Sequence, residues 1–128
     1  MNRKEYLEKL ESFKGLPRGW NGYDAPPPPH AIVEKAKLLA PMLEEVGIWP
    51  RFVSPPVRLG IGLSFYGEES RYAELCVAFE DGYRLLLDEV DKEDGIVVRE
   101  VPQDGLKDAL REILEFVGMQ ENRAANAK

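Results

Sequence analysis

Threonine is absent from this chain, cysteine and histidine occur once each, as Cys76 and His30, and glutamine is confined to Gln103 and Gln120. One cysteine excludes an internal disulfide and agrees with a reducing compartment, so a structural thiol is the expected role. Nucleophilic catalysis would need His30 beside Cys76 or one of Ser12, Ser54, Ser64 and Ser70, together with an orienting acid. No local motif arranges them so. His30, directly after a run of prolines, reads instead as the start of a helix. Apolar runs stay far short of the roughly 18 residues that cross a bilayer. The N-terminus, Met1 to Glu8, is a charged amphipathic segment with no signal-peptide core. The expected location is the cytoplasm, with no membrane association.

Basic charge is also in short supply: 17 Lys and Arg stand against 23 Asp and Glu, a formal charge of -6. This balance gives no general attraction to phosphate backbones or anionic lipid, so direct nucleic-acid binding is disfavoured. An acidic surface suits a basic protein partner, including one that handles nucleic acid. The acidic run Asp88 to Gly95 resembles a calcium loop only in composition. With Gly95 at the sixth position, the first and twelfth are Val90 and Val101, and both carboxylates are missing. Gly60-Ile61-Gly62 begins like a dinucleotide fingerprint, yet Phe65 takes the place of the third glycine within a strand pattern. No catalytic set, cofactor site or metal site is assigned.

What is present is one domain's worth of patterned chain, 128 residues with 44% hydrophobic residues. Tyr6, Leu7, Leu10 and Phe13 recur at helical spacing and predict a first helix over 3–14. The stripe Ile32, Ala36, Leu39, Leu43, Val46 predicts a second from about Pro29 to Val46, kinked or divided at Pro41 and capped by Gly47. The period then changes to two. Val57, Leu59, Ile61, Leu63 and Phe65 alternate against Arg58, Gly60, Gly62, Ser64 and Tyr66, and Ala73, Leu75, Val77 and Phe79 repeat the pattern. Turns at Asp81-Gly82 and Asp91 to Gly95 lead into Tyr83 to Val90 and Ile96 to Val101, and a short strand precedes them near Arg51 to Ser54. Pro102 stops the last strand, Asp104 is the expected cap of a final helix, and Leu106, Leu110, Ile113 and Val117 supply its stripe. The expected architecture is a two-layer α+β domain over 1–118, an antiparallel meander of four to five strands with two N-terminal helices and one C-terminal helix. Residues 119–128 are expected to fray as a polar tail.

Leu16-Pro-Arg-Gly-Trp-Asn-Gly-Tyr-Asp-Ala-Pro, followed by an Ala-rich amphipathic helix and a strand-rich half, resembles a widespread set of small uncharacterised bacterial and phage proteins with an L-P-x-G-W-[DN]-x-Y-x-A-x-P motif. The resemblance implies a bacterial or phage origin and an undivided fold, and supplies no catalytic residues. Such proteins carry a later strand ending in an acidic residue and Trp, where this chain has Gly62-Leu-Ser-Phe65.

Two candidate surfaces follow from the residues. The first is the loop carrying Trp20, Asn21, Tyr23 and Asp24, stiffened by Pro26 to Pro29, either a clasp whose rings pack on the sheet or a binding anchor. The second is the strand face Arg58, Gly60, Gly62, Ser64 and Tyr66, whose glycines leave a smooth patch for Trp20, Trp49 or a partner. The leading expectation is a non-enzymatic protein-binding domain, antitoxin-, immunity- or inhibitor-like. The alternatives are a small enzyme using Asp or Glu with or without a divalent metal, and a structural homo-oligomer pairing through a sheet edge.

Overall fold

The computed structural model describes residues 1–56 and 60–118. Helix α1, Arg3–Ser12, opens with a capping box: Asn2 Oδ1 accepts from the Glu5 N–H at 2.9 Å, and Glu5 Oε1 accepts from the Asn2 N–H at 2.9 Å. A 3₁₀ turn, Phe13–Gly15, extends it. The predicted second helix is two, α2 at His30–Lys37 and α3 at Ala40–Val46. Pro41 sits in the first turn of α3, where its missing N–H breaks no helical bond, and so the division falls just before it. Pro29 caps α2 from outside, and Gly47 ends α3 in the left-handed conformation at φ 87°.

Five strands follow: β1 Phe52–Ser54, β2 Gly60–Tyr66, β3 Arg71–Ala78, β4 Tyr83–Glu89 and β5 Ile96–Val101. They form one antiparallel sheet in the order β1-β2-β3-β4-β5, an α+β meander as the patterning predicts. Helix α4, Leu106–Phe116, closes the fold. Asp104 does not cap it. A 3₁₀ turn over Gln103–Gly105, tied by the Gly105 N–H to the Pro102 carbonyl at 3.0 Å, moves the start onward and leaves Gly105 at the cap. Val57, Arg58, Leu59 and the tail 119–128 lie outside the described residues.

Odd-numbered residues of β2, β3 and β4 make the core face. Ile61, Leu63 and Phe65 are fully buried and pair with Val77, Leu75 and Ala73, which pair in turn with Tyr83, Leu85 and Leu87. The buried stripes of α1, α2, α3 and α4 join this face in one continuous cluster. Phe79 departs from its predicted place in the alternation. β3 stops at Ala78, and Phe79 turns outward in the loop, 46% exposed.

That loop is held from the helix layer by Lys35. Its ammonium donates to the carbonyls of Ala78, Glu80 and Gly82 at 3.0, 2.8 and 3.0 Å and lies 4.7 Å from the centre of the Tyr83 ring. Tyr6 does the same work between helices, donating its phenol O–H to the Ala36 carbonyl at 2.6 Å. Burial pushes this phenol well above the usual tyrosine range.

Candidate binding face

Side chains of even-numbered residues point away from the helix layer. The register sets them in rows: Gly62, Cys76, Arg84 and Glu100; Ser64, Glu74, Leu86 and Val98; Tyr66, Tyr72, Asp88 and Ile96. β1 adds Phe52 beside Ser64 and Ser54 beside Gly62. Among the described residues the helices' buried apolar side chains belong to the opposite face, and at its β1 end this one shares a groove with Met1 and with Lys9 of α1.

Its β1 end is an aromatic corner. Phe52 meets Tyr66 edge-on at 5.9 Å between ring centres, and Tyr66 meets Tyr72 at 5.1 Å. The Arg51 guanidinium lies 5.7 Å from the Phe52 ring and 5.6 Å from the Tyr66 ring, within cation–π reach of both. Behind the rings runs a polar chain. The Tyr72 phenol donates to Glu74 Oε1 at 2.7 Å, and Ser64 Oγ stands 3.2 Å from the same phenol. Ser64 is 7% exposed, a buried hydroxyl with its bond made. Burial, and then the Glu74 carboxylate, push the Tyr72 phenol up to about 12. Burial likewise pushes the Cys76 thiol up. Both shifts run away from nucleophile or base chemistry at neutral pH, which needs the ionised form in reach.

The patch over the two glycines is filled differently from the expectation. Neither tryptophan covers it. Glu74 does, its carboxylate 3.6 Å from where a side-chain carbon on Gly62 would stand. Gly60 is a point of close backbone approach, since a side-chain carbon there would meet the Val77 carbonyl oxygen at 1.8 Å. Trp49 packs instead against Tyr6, 5.6 Å between ring centres. Of the expected face, Gly62, Ser64 and Tyr66 are brought together, and Arg58 lies outside the described residues. Sequence reading missed Arg51, Phe52, Tyr72 and Glu74. The available signal was the i, i+2 spacing of Tyr72 and Glu74, which puts both on the polar side of an alternating strand.

The Trp20 loop is tied to itself. The indole N–H donates to the Pro26 carbonyl at 3.0 Å, Asn21 Oδ1 accepts from the N–H groups of Tyr23 and Ala25 at 2.9 and 3.2 Å, and the Gly19 N–H donates to the Ala25 carbonyl at 2.7 Å. Asp24 holds a left-handed φ of 70° and faces Arg18 at 3.5 Å. The rings do not pack on the sheet as expected. Tyr23 is 88% exposed, and Trp20 is half-buried over its own loop, because the tight turns bring the indole back to Pro26 before it can reach the core. Trp20→Ala is therefore expected to lower stability by only about 1–2 kcal/mol, one hydrogen bond plus a half-buried ring. Thermal melting checks this, and an unchanged midpoint would show that the indole does not hold the loop.

Among the described residues no group of three or more His, Cys, Asp or Glu is placed to hold a metal ion, and no helix is long and apolar enough to cross a membrane. No protein-family model, curated protein or solved structure matches the chain.

Proposed function

We propose that the chain is a protein-binding domain of bacterial or phage origin without catalysis of its own, antitoxin-, immunity- or inhibitor-like, which engages a basic partner through its even-numbered sheet face. The observation that carries this reading is the corner of Arg51, Phe52, Tyr66 and Tyr72 on the sheet face opposite the helices' buried stripes. Arg and Tyr are the residue types that dominate binding energy at protein interfaces, and a strand platform holds these rings in place at little entropic cost. The formal charge of -6 favours a basic partner by steering its approach.

The test begins with a partner captured from the native host and identified by mass spectrometry, then titrated calorimetrically. Phe52→Ala and Tyr66→Ala, at positions 53% and 37% exposed, are each expected to fold, with a loss of stability of about 1–2 kcal/mol from the truncated ring. Each should weaken binding by about 2 kcal/mol or more, roughly 30-fold. Raising the salt concentration should slow association. Wild-type affinity in both variants would overturn the assignment of the face.

A further inference from the structure

The sheet ends in two unlike edges. β1 is three residues long and stands between Pro50 and Pro55-Pro56, a short proline-flanked edge that discourages further pairing. β5 has six residues, no proline and no lysine, and keeps one register against β4 from Val101 opposite Tyr83 to Ile96 opposite Asp88, with no bulge. Ile96, Val97 and Val98 are 61%, 50% and 52% exposed, apolar side chains on both faces of one strand. Its two charges are already matched within the chain: Arg99 donates to Glu112 Oε2 at 3.0 Å, and Glu100 meets Arg84 at 2.8 Å.

The main-chain groups of β5 have a definite polarity. The Glu89 N–H donates to the Gly95 carbonyl at 2.9 Å, and the Val90 N–H donates to the Ser70 carbonyl at 3.0 Å. Bonded pairs alternate along an antiparallel ladder, so odd-numbered residues of β4 bond to β5 and even-numbered ones to β3. Ile96, Val98 and Glu100 accordingly turn their N–H and C=O groups away from the sheet. These three positions are symmetric about Val98.

We infer that β5 is the interface of a homodimer in which two copies pair antiparallel about a two-fold axis at Val98, joining their sheets into one. Val98 then faces Val98 of the second copy, and Ile96 faces Glu100 in both directions, with two main-chain hydrogen bonds at each of these pairs. Leu86 neighbours Val98 within each chain, so the even face gains an apolar row, Leu86, Val98, Val98, Leu86, that crosses the seam unbroken. On the other face Val97 stands opposite Arg99. No like charges meet directly. This self-complementarity is what a second copy needs and a foreign strand does not, and the inference is independent of the aromatic corner.

Analytical ultracentrifugation of the full chain tests it. The wild type is expected to pass from 14.5 kDa to twice that mass as concentration rises. Val98→Lys places two ammonium groups face to face on the axis and is expected to weaken the dimer at least about tenfold. Hydrogen exchange on the wild type needs no variant to fold: the amides of Ile96, Val98 and Glu100 should gain protection as the dimer forms. A wild type that stays at the monomer mass up to about 1 mM, a Val98→Lys dimer as tight as wild type, or exchange at those amides that ignores concentration would each overturn the inference.

Discussion

Tyr6→Ala is expected to lower the free energy of unfolding by about 3–5 kcal/mol, the range for loss of a fully buried aromatic ring. Tyr6 is 0% exposed and sits where α1 meets α2 and the segment after α3, its ring tilted against Trp49 and its phenol on the Ala36 carbonyl. The large part of the effect belongs to the ring. Tyr6→Phe keeps it and is expected to lose only about 1 kcal/mol, because the Ala36 carbonyl retains the Leu39 N–H at 3.2 Å. Denaturant melts of the two variants separate packing from hydrogen bonding. Equal losses would mean that the hydroxyl, and not the ring, anchors α1.

Lys35→Met should produce the second large loss, about 2–4 kcal/mol. Charge-assisted hydrogen bonds contribute about 1.5–3 kcal/mol each, discounted here because the Glu80 end of the site is open to water. An ammonium has three donors and no acceptor, and at Lys35 all three are used on carbonyls of one hairpin connection, Ala78, Glu80 and Gly82. Methionine keeps an unbranched apolar side chain and removes the charge, the donors and the ammonium's contact with the Tyr83 ring. Lys35→Arg is expected to fail as a rescue, since a planar fork cannot converge on three carbonyls around one nitrogen. Thermal melts together with hydrogen exchange over 79–82 read the effect. Wild-type melting of Lys35→Met, or full rescue by arginine, would show that the loop holds itself.

The fold was legible where one period ran without interruption. Ile61, Leu63 and Phe65 alternate strictly and all three are buried, Leu106, Leu110, Ile113 and Val117 keep helical spacing and all four are buried, and Pro41 marks the division of the second helix. The surface was less legible for a physical reason. An alternating pattern says which side of its own strand a residue takes and nothing about its neighbour across the register. The aromatic corner needs Phe52 of β1, Tyr66 of β2 and Tyr72 of β3 to fall side by side, which is a property of pairing. Gly62 and Ser64 were expected on an open face and are buried, because Glu74, Ser54 and Tyr72 from neighbouring strands lean over them. Lys35 shows the same limit from the helix side: its three partners lie 43 to 47 residues away. The Trp20 loop misled in the opposite sense. Its prolines and glycines do order the chain, but the order is local: the Trp20 indole serves the loop instead of the core, and the Tyr23 ring stands in solvent.

The strict meander has a kinetic consequence. Every strand lies beside the one before it in the chain, so each new pairing closes only a short turn and meets a small loss of loop entropy. The sheet can assemble hairpin by hairpin. The helix layer is different, for α3 and α4 are brought together from the two ends of the sheet, with Lys107 bound to Glu45 at 2.5 Å across a separation of 62 residues. That contact joins elements from opposite sides of the strand run and, with the seating of α1 and α2 on the sheet, is long-range, so the topology favours a folding order in which the strands form early and the docking of the helix layer completes the native state.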